Sequence, residues 1–98
     1  MIIRTDSEVQ QLATLLLDTL HNPVLNMSAK AGVKAGLQQA WKCVCQKHTD
    51  YSEINKNLPA YIFPVQSRAI AVMAVDWLNG EETDWQRFVD NLLKAPAK

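Results

Sequence analysis

The chain is poor in the residues that build specialised architectures. Two cysteines are too few for a disulfide-stapled mini-protein and three glycines in 98 residues are too few for a collagen-like chain. Net charge is absent as well. Ten Lys plus Arg face ten Asp plus Glu, which excludes a disordered acidic or basic tail and any global attraction to nucleic acid or an anionic membrane. Long apolar runs are missing too: the most apolar stretch, Ala69 to Val75, is seven residues, against about 20 for a bilayer span. At the start, Met1-Ile2-Ile3 meets Arg4, Asp6 and Glu8, so no apolar core of a secretion signal is read there. What remains is 48% apolar and 20% charged, the mixture of a soluble globular protein. A chain of this size buries about two-thirds of its unfolded surface in one core, so residues 1–98 are expected to form a single helical domain.

Hydrophobic spacing predicts helices throughout. Thr5 and Glu8 form a capping box ahead of Val9, Leu12, Ala13, Leu16 and Leu20, which predicts a helix over 5–21 that Pro23 stops. A second helix is expected from a Ser28 N-cap to about His48, with Val33, Leu37, Ala40, Trp41 and Val44 on one face. A strip of small residues, Ala29, Gly32, Gly36, Ala40 and Cys43, covers about 80° of the same helix and permits close approach of another backbone. Interior glycines each weaken a helix by about 1 kcal/mol, so a compensating contact is expected. That contact is either the third helix of the same chain or a second copy.

A short turn is expected between Thr49 and Asn57, then an extended aromatic segment, Ala60-Tyr61-Ile62-Phe63, bracketed by Pro59 and Pro64. The third long helix, from Pro64 or Ser67 to Asn79, is apolar nearly all round and is expected at the centre. Asn79-Gly80 reads as a left-handed helix stop. Thr83 and Gln86 read as a second capping box, starting a last helix that carries Trp85, Phe88, Val89, Leu92 and Leu93 towards Pro96 and folds back on its predecessor as a hairpin.

The zero charge hides a division. Residues 23–49 hold four bases and no acid, and residues 69–90 hold five acids and one base. The basic block places Lys34, Gln38 and Lys42 on one face of the second helix, a possible track for a phosphate backbone or an acidic partner. Arginine is absent from that helix, which makes nucleic acid the lesser reading. The two blocks are able to neutralise each other inside the fold or between copies.

Catalytic chemistry finds little footing. Cys43 and Cys45 lie about 160° apart on a helix and cannot close on one metal ion with His48. No Gly-x-Ser-x-Gly turn or phosphate loop is present, and Glu81-Glu82 suits an interhelical turn. No catalytic residue, metal ligand or cofactor is therefore assigned.

The expected fold is all-α, a compact bundle of four main helices plus a short helical turn, with room for a short extended arm at Met1 to Arg4. The expected function is non-enzymatic: an adaptor, inhibitor or immunity-type regulator that binds a partner protein, as a homodimer, in the reducing cytoplasm of a bacterium or phage. Tyr61, Phe63, Trp41 and Trp85 are the candidate contact residues. Ala29, Gly32, Gly36 and Ala40 are the candidate close-packing or dimer strip.

Overall fold

A computed structural model describes residues 4–26, 30–57 and 65–94. Five α-helices account for most of them: α1 (Asp6–Leu20), α2 (Ala31–Gln46), α3 (Ser52–Asn57), α4 (Val65–Leu78) and α5 (Trp85–Leu92), with a 3₁₀ turn at Pro23–Asn26. The protein is a compact all-α bundle. The Ser28 N-cap, the Met1–Ile3 part of the arm, and the Tyr61 to Pro64 segment fall outside the described residues.

The chemistry of the helix ends explains where each begins and stops. At the start of α1, the Thr5 hydroxyl accepts the Glu8 amide at 3.2 Å while the Glu8 carboxylate accepts the Thr5 amide at 3.0 Å, the reciprocal bonding the sequence predicts. At the end of α2, Lys47 adopts a left-handed φ of 56° and the His48 amide reaches back to the Cys43 carbonyl at 2.9 Å. The helix therefore stops two residues before His48. Gly80 does the same for α4 with φ 104°, and the Glu81 amide bonds the Asp76 carbonyl at 3.0 Å. For α5 the expected Thr83 cap is corrected: Asp84 is the N-cap, its carboxylate accepting the Arg87 amide at 3.1 Å. A carboxylate one residue further on satisfies the exposed amides of the first turn and also suits the positive end of the helix dipole. That helix ends at Leu92, short of Pro96.

α2 is the middle of the bundle. It contacts α1, the 3₁₀ turn, α3 and α4, which corrects the expectation that the apolar α4 would be central. The reason lies in its two faces. Val33, Leu37, Ala40 and Val44 meet Val9, Leu12 and Leu16 of α1 and Leu25 of the turn in one buried cluster. The small-residue side takes α4. Cys43 forms a second cluster with Ile54, Ala71 and Val75, all fully buried. Burial of a valine, leucine or isoleucine side chain of this kind contributes about 1.5–3 kcal/mol by leaving water.

Two bonds fix the mutual direction of α2 and α4. The Ser67 hydroxyl donates to the Gly32 carbonyl at 2.7 Å near their N-terminal ends, and the Asn79 side chain donates to the Thr49 carbonyl at 2.9 Å just past their C-terminal ends. They run side by side in the same direction, with α3 in the connection. The last helix departs from expectation: α5 packs against α1 instead of closing on α4 as a tight hairpin. Trp77 of α4 and Trp85 of α5 are both buried in the main core cluster.

Candidate functional site

The structure separates the sequence-predicted residues into three places. Tyr61, Phe63 and Ala29 lie outside the described residues. Gly32, Gly36 and Ala40 form an internal seam against α4: Ala40 is fully buried, and a β-carbon placed on Gly36 would stand 2.6 Å from the Ser67 carbonyl oxygen and 3.1 Å from the Ile70 β-carbon. Backbone contact that close is the compensation that interior glycines require. The seam also carries Gln39, a buried amide absent from the sequence reading, which donates to the Cys43 sulfur at 3.6 Å.

The basic face of α2 stays at the surface. Gln38 and Lys42 are exposed and Lys34 is half-buried, its ammonium 3.4 Å from the Asn26 side-chain oxygen. Lys30 donates to the Leu92 carbonyl at 3.1 Å, and Lys47 pairs with Asp6. Among the described residues no ion pair joins this basic block to the acidic block of Asp76, Glu81, Glu82, Asp84 and Asp90. Neutrality inside the fold is therefore not achieved by pairing the two.

The third place is a groove of about 310 Å³ where α1, α4 and α5 converge. It is lined by Leu12, Leu15, Trp77 and Trp85 together with the polar Glu8, Gln11 and Gln86. Trp85 is a candidate contact residue in the sequence. Instead it is 5% exposed, and its Nε1 is buried with no hydrogen-bond acceptor. The ring stands edge-on to Phe88, centroids 5.7 Å apart at 88°. Trp41 is half-buried and packs on the main core.

Arg4 organises one side of this groove, and the sequence reading missed it. Its Nε donates to the Trp77 carbonyl at 2.8 Å and its Nη2 to the Glu81 carbonyl at 2.6 Å. Its guanidinium lies 4.5 Å over the Trp77 ring, 3.5 Å from the Glu8 carboxylate and 3.9 Å from that of Glu82. One cation thus caps the C-terminal end of α4, stacks on its tryptophan and bridges to α1. Its two carbonyl acceptors sit more than 70 positions away in the chain, so spacing carried no trace of them. The Glu8 carboxyl is held below its usual range by the Thr5 amide first, then by the Thr5 hydroxyl, with Arg4 adding to the effect.

Little here suits covalent chemistry. Burial pushes the Cys43 thiol above its ordinary range, only partly offset by the bond from Gln39, which keeps it protonated and a poor nucleophile. Cys45 is exposed and free. The Tyr51 hydroxyl is also shifted upward, chiefly because it donates to the Asp76 carboxylate. Among the described residues no group of three or more His, Cys, Asp or Glu side chains is arranged to hold a metal ion, and no helix is long and apolar enough to cross a membrane. No protein-family model matches the chain, and no significant similarity to a curated protein or a solved structure is found.

Proposed function

We propose that the chain is a small non-enzymatic interaction protein, an adaptor, inhibitor or immunity-type regulator, that works by binding a partner protein and is itself a homodimer in the cytoplasm. One observation carries this reading: among the described residues no ion pair joins the acidic block to the basic one, so each is left as a charged face. Opposite charged faces of that kind are what protein contacts use for steering encounter and for specificity. The seam at Gly36 is occupied by α4, so the dimer contact has to lie elsewhere, on these charged faces or on the Tyr61 to Phe63 segment.

A second reading has its own support. Gln38 and Lys42 are exposed on one stripe of α2, and a nucleic acid backbone would take the same row. Salt separates the two. Phosphate contacts lose affinity steeply and logarithmically with added salt, whereas an apolar contact steered by a few charges loses far less. Lys34→Glu with Lys42→Glu is expected to leave the principal interaction intact; its abolition would transfer the function to the α2 face. Light scattering over a wide concentration range is expected to show dimer at the upper end, and a species of 11.0 kDa throughout would remove the homodimer.

A further inference from the structure

We propose that the exposed basic row of α2 docks a second copy of the chain through the acidic surface around that copy's Tyr51, which rests on the homodimer reading and supplies the contact that the occupied Gly36 seam cannot.

The surface around Tyr51 is assembled by the fold. The Asn79 side chain donates to the Thr49 carbonyl at 2.9 Å and the Tyr51 hydroxyl donates to the Asp76 carboxylate, so the loop ahead of α3 is fastened over the end of α4. The Glu81 amide bonds the Asp76 carbonyl at 3.0 Å, which brings the following turn to the same place. Beyond that hydrogen bond and burial, the charges of Asp76 and Glu81 reach Tyr51 closely enough to push its hydroxyl further up. Among the described residues no ion pair occupies Asp76 or Glu81. Tyr51 itself is 42% exposed and, with Leu17, is one of the large apolar side chains left open there. A ring whose hydroxyl is already held gives up little freedom when it is covered, and its face accepts a lysine ammonium.

The row on α2 carries the opposite sign. Gln38 and Lys42 are exposed, Lys34 is half-buried, and among the described residues neither lysine is in an ion pair. Within one chain the two surfaces look away from each other. At 100° per residue, Gln38 stands about 160° round α2 from Gly36 and Asp76 stands about 180° round α4 from Ser67, and Gly36 and Ser67 are where those helices touch. The row cannot fold back onto Asp76 of its own chain.

A second copy completes the match, because every copy carries both halves of it. Zero net charge also removes the long-range repulsion that keeps strongly charged chains apart. The two faces differ, so the contact is heterologous and the pair retains one unused face of each kind. Exposed charge pairs are individually weak, so the pair forms at high concentration and comes apart in salt.

Sedimentation equilibrium of the full chain, before and after nuclease treatment, tests this with two reversals, Lys34→Glu with Lys42→Glu and Tyr51→Lys with Glu81→Lys. None of these four side chains is buried. The wild type is expected to pass from 11.0 kDa towards twice that mass as concentration rises. Association should be at least about tenfold weaker in 0.5 M than in 0.05 M salt, as the screening length shrinks. Each reversal alone should stay at the monomer mass. An equimolar mixture of the two should associate again, since one supplies the intact Tyr51 surface and the other the intact basic row, and that recovery also shows both to be folded. Where a reversal does not fold, Lys42→Ala and Glu81→Gln replace it, each expected to weaken association about threefold. A mixture that stays monomeric, or reversals that associate like the wild type, would overturn the assignment and leave the homodimer to the Tyr61 to Phe63 segment. Association lost on nuclease treatment would overturn it too and give the α2 row to nucleic acid. If the chain is monomeric throughout but a partner protein is still captured, self-docking is wrong and the partner reading stands.

Discussion

Gly36→Ala is expected to destabilise the protein by about 2 kcal/mol, although alanine is the better helix former. Two effects oppose each other. In a helix interior the substitution is worth about 1 kcal/mol in favour of alanine. Against it stands the geometry of the seam, where the new β-carbon would lie 2.6 Å from the Ser67 carbonyl oxygen, 3.0 Å from its α-carbon and 3.1 Å from the Ile70 β-carbon. The nearest two atoms are backbone and cannot swing aside, so α2 and α4 must separate. Overpacking of that kind costs about 1–3 kcal/mol, and the separation also disturbs the Ser67 to Gly32 bond and thins the contact at Ile70. For a domain of this size about 2 kcal/mol lowers Tm by roughly 8–16 °C. Thermal unfolding checks it at two protein concentrations. A fall in Tm that does not depend on concentration is expected, since the seam lies within one chain; a rise in Tm would mean that the helix propensity wins and the close approach is absent.

Arg4→Ala is the second large effect. The side chain makes charge-assisted bonds to the Trp77 and Glu81 carbonyls, at 2.8 and 2.6 Å, and stacks on Trp77 at 4.5 Å. It is only 11% exposed, so these interactions are poorly screened. Loss of the two bonds and the stacking, offset by freedom regained in the side chain, is expected to lower stability by about 2–3 kcal/mol. Arg4→Lys tests the geometry separately from the charge. A lysine keeps the cation but has no fork to span two carbonyls while lying flat on an indole, and it is expected to recover less than half of the loss. Denaturant unfolding with Trp77 fluorescence as one signal measures both. Full recovery by lysine would reduce Arg4 to a point charge near the end of α4.

How much of this was legible in the sequence depended on the range of the interaction. Local chemistry read true: the Thr5–Glu8 box and the Gly80 stop involve residues within five positions of each other, and both are found as written. Adjacent alternatives did not resolve, because Thr83 and Asp84 are both good caps and spacing alone cannot rank them. The small-residue strip announced close packing but could not name its partner; Ser67, Ile70 and Ala71 supplied the answer from across the bundle. Trp85 reads from the sequence as a contact residue on an amphipathic helix, yet its ring is 5% exposed and belongs to the core, packed edge-on to Phe88. Nothing in the spacing distinguishes Gln39 from its neighbour Gln38, and its bond to the buried Cys43 sulfur is visible only in the fold.

The candidate site was half legible. The separation of charge along the chain is plain from composition, and among the described residues no ion pair joins the two blocks. The groove was not legible at all, since its wall is drawn from three helices far apart in sequence.

The most direct test of the central claim, that the acidic and aromatic side is where a protein partner binds, is capture from a native lysate treated with nuclease, using three baits. These are the wild-type chain, Glu81→Lys with Glu82→Lys, and Lys34→Glu with Lys42→Glu. The account predicts a protein retained in stoichiometric amount by the wild type and by the lysine reversal, and lost from the glutamate reversal. Loss from the lysine reversal instead, or loss of every interaction on nuclease treatment, would contradict it.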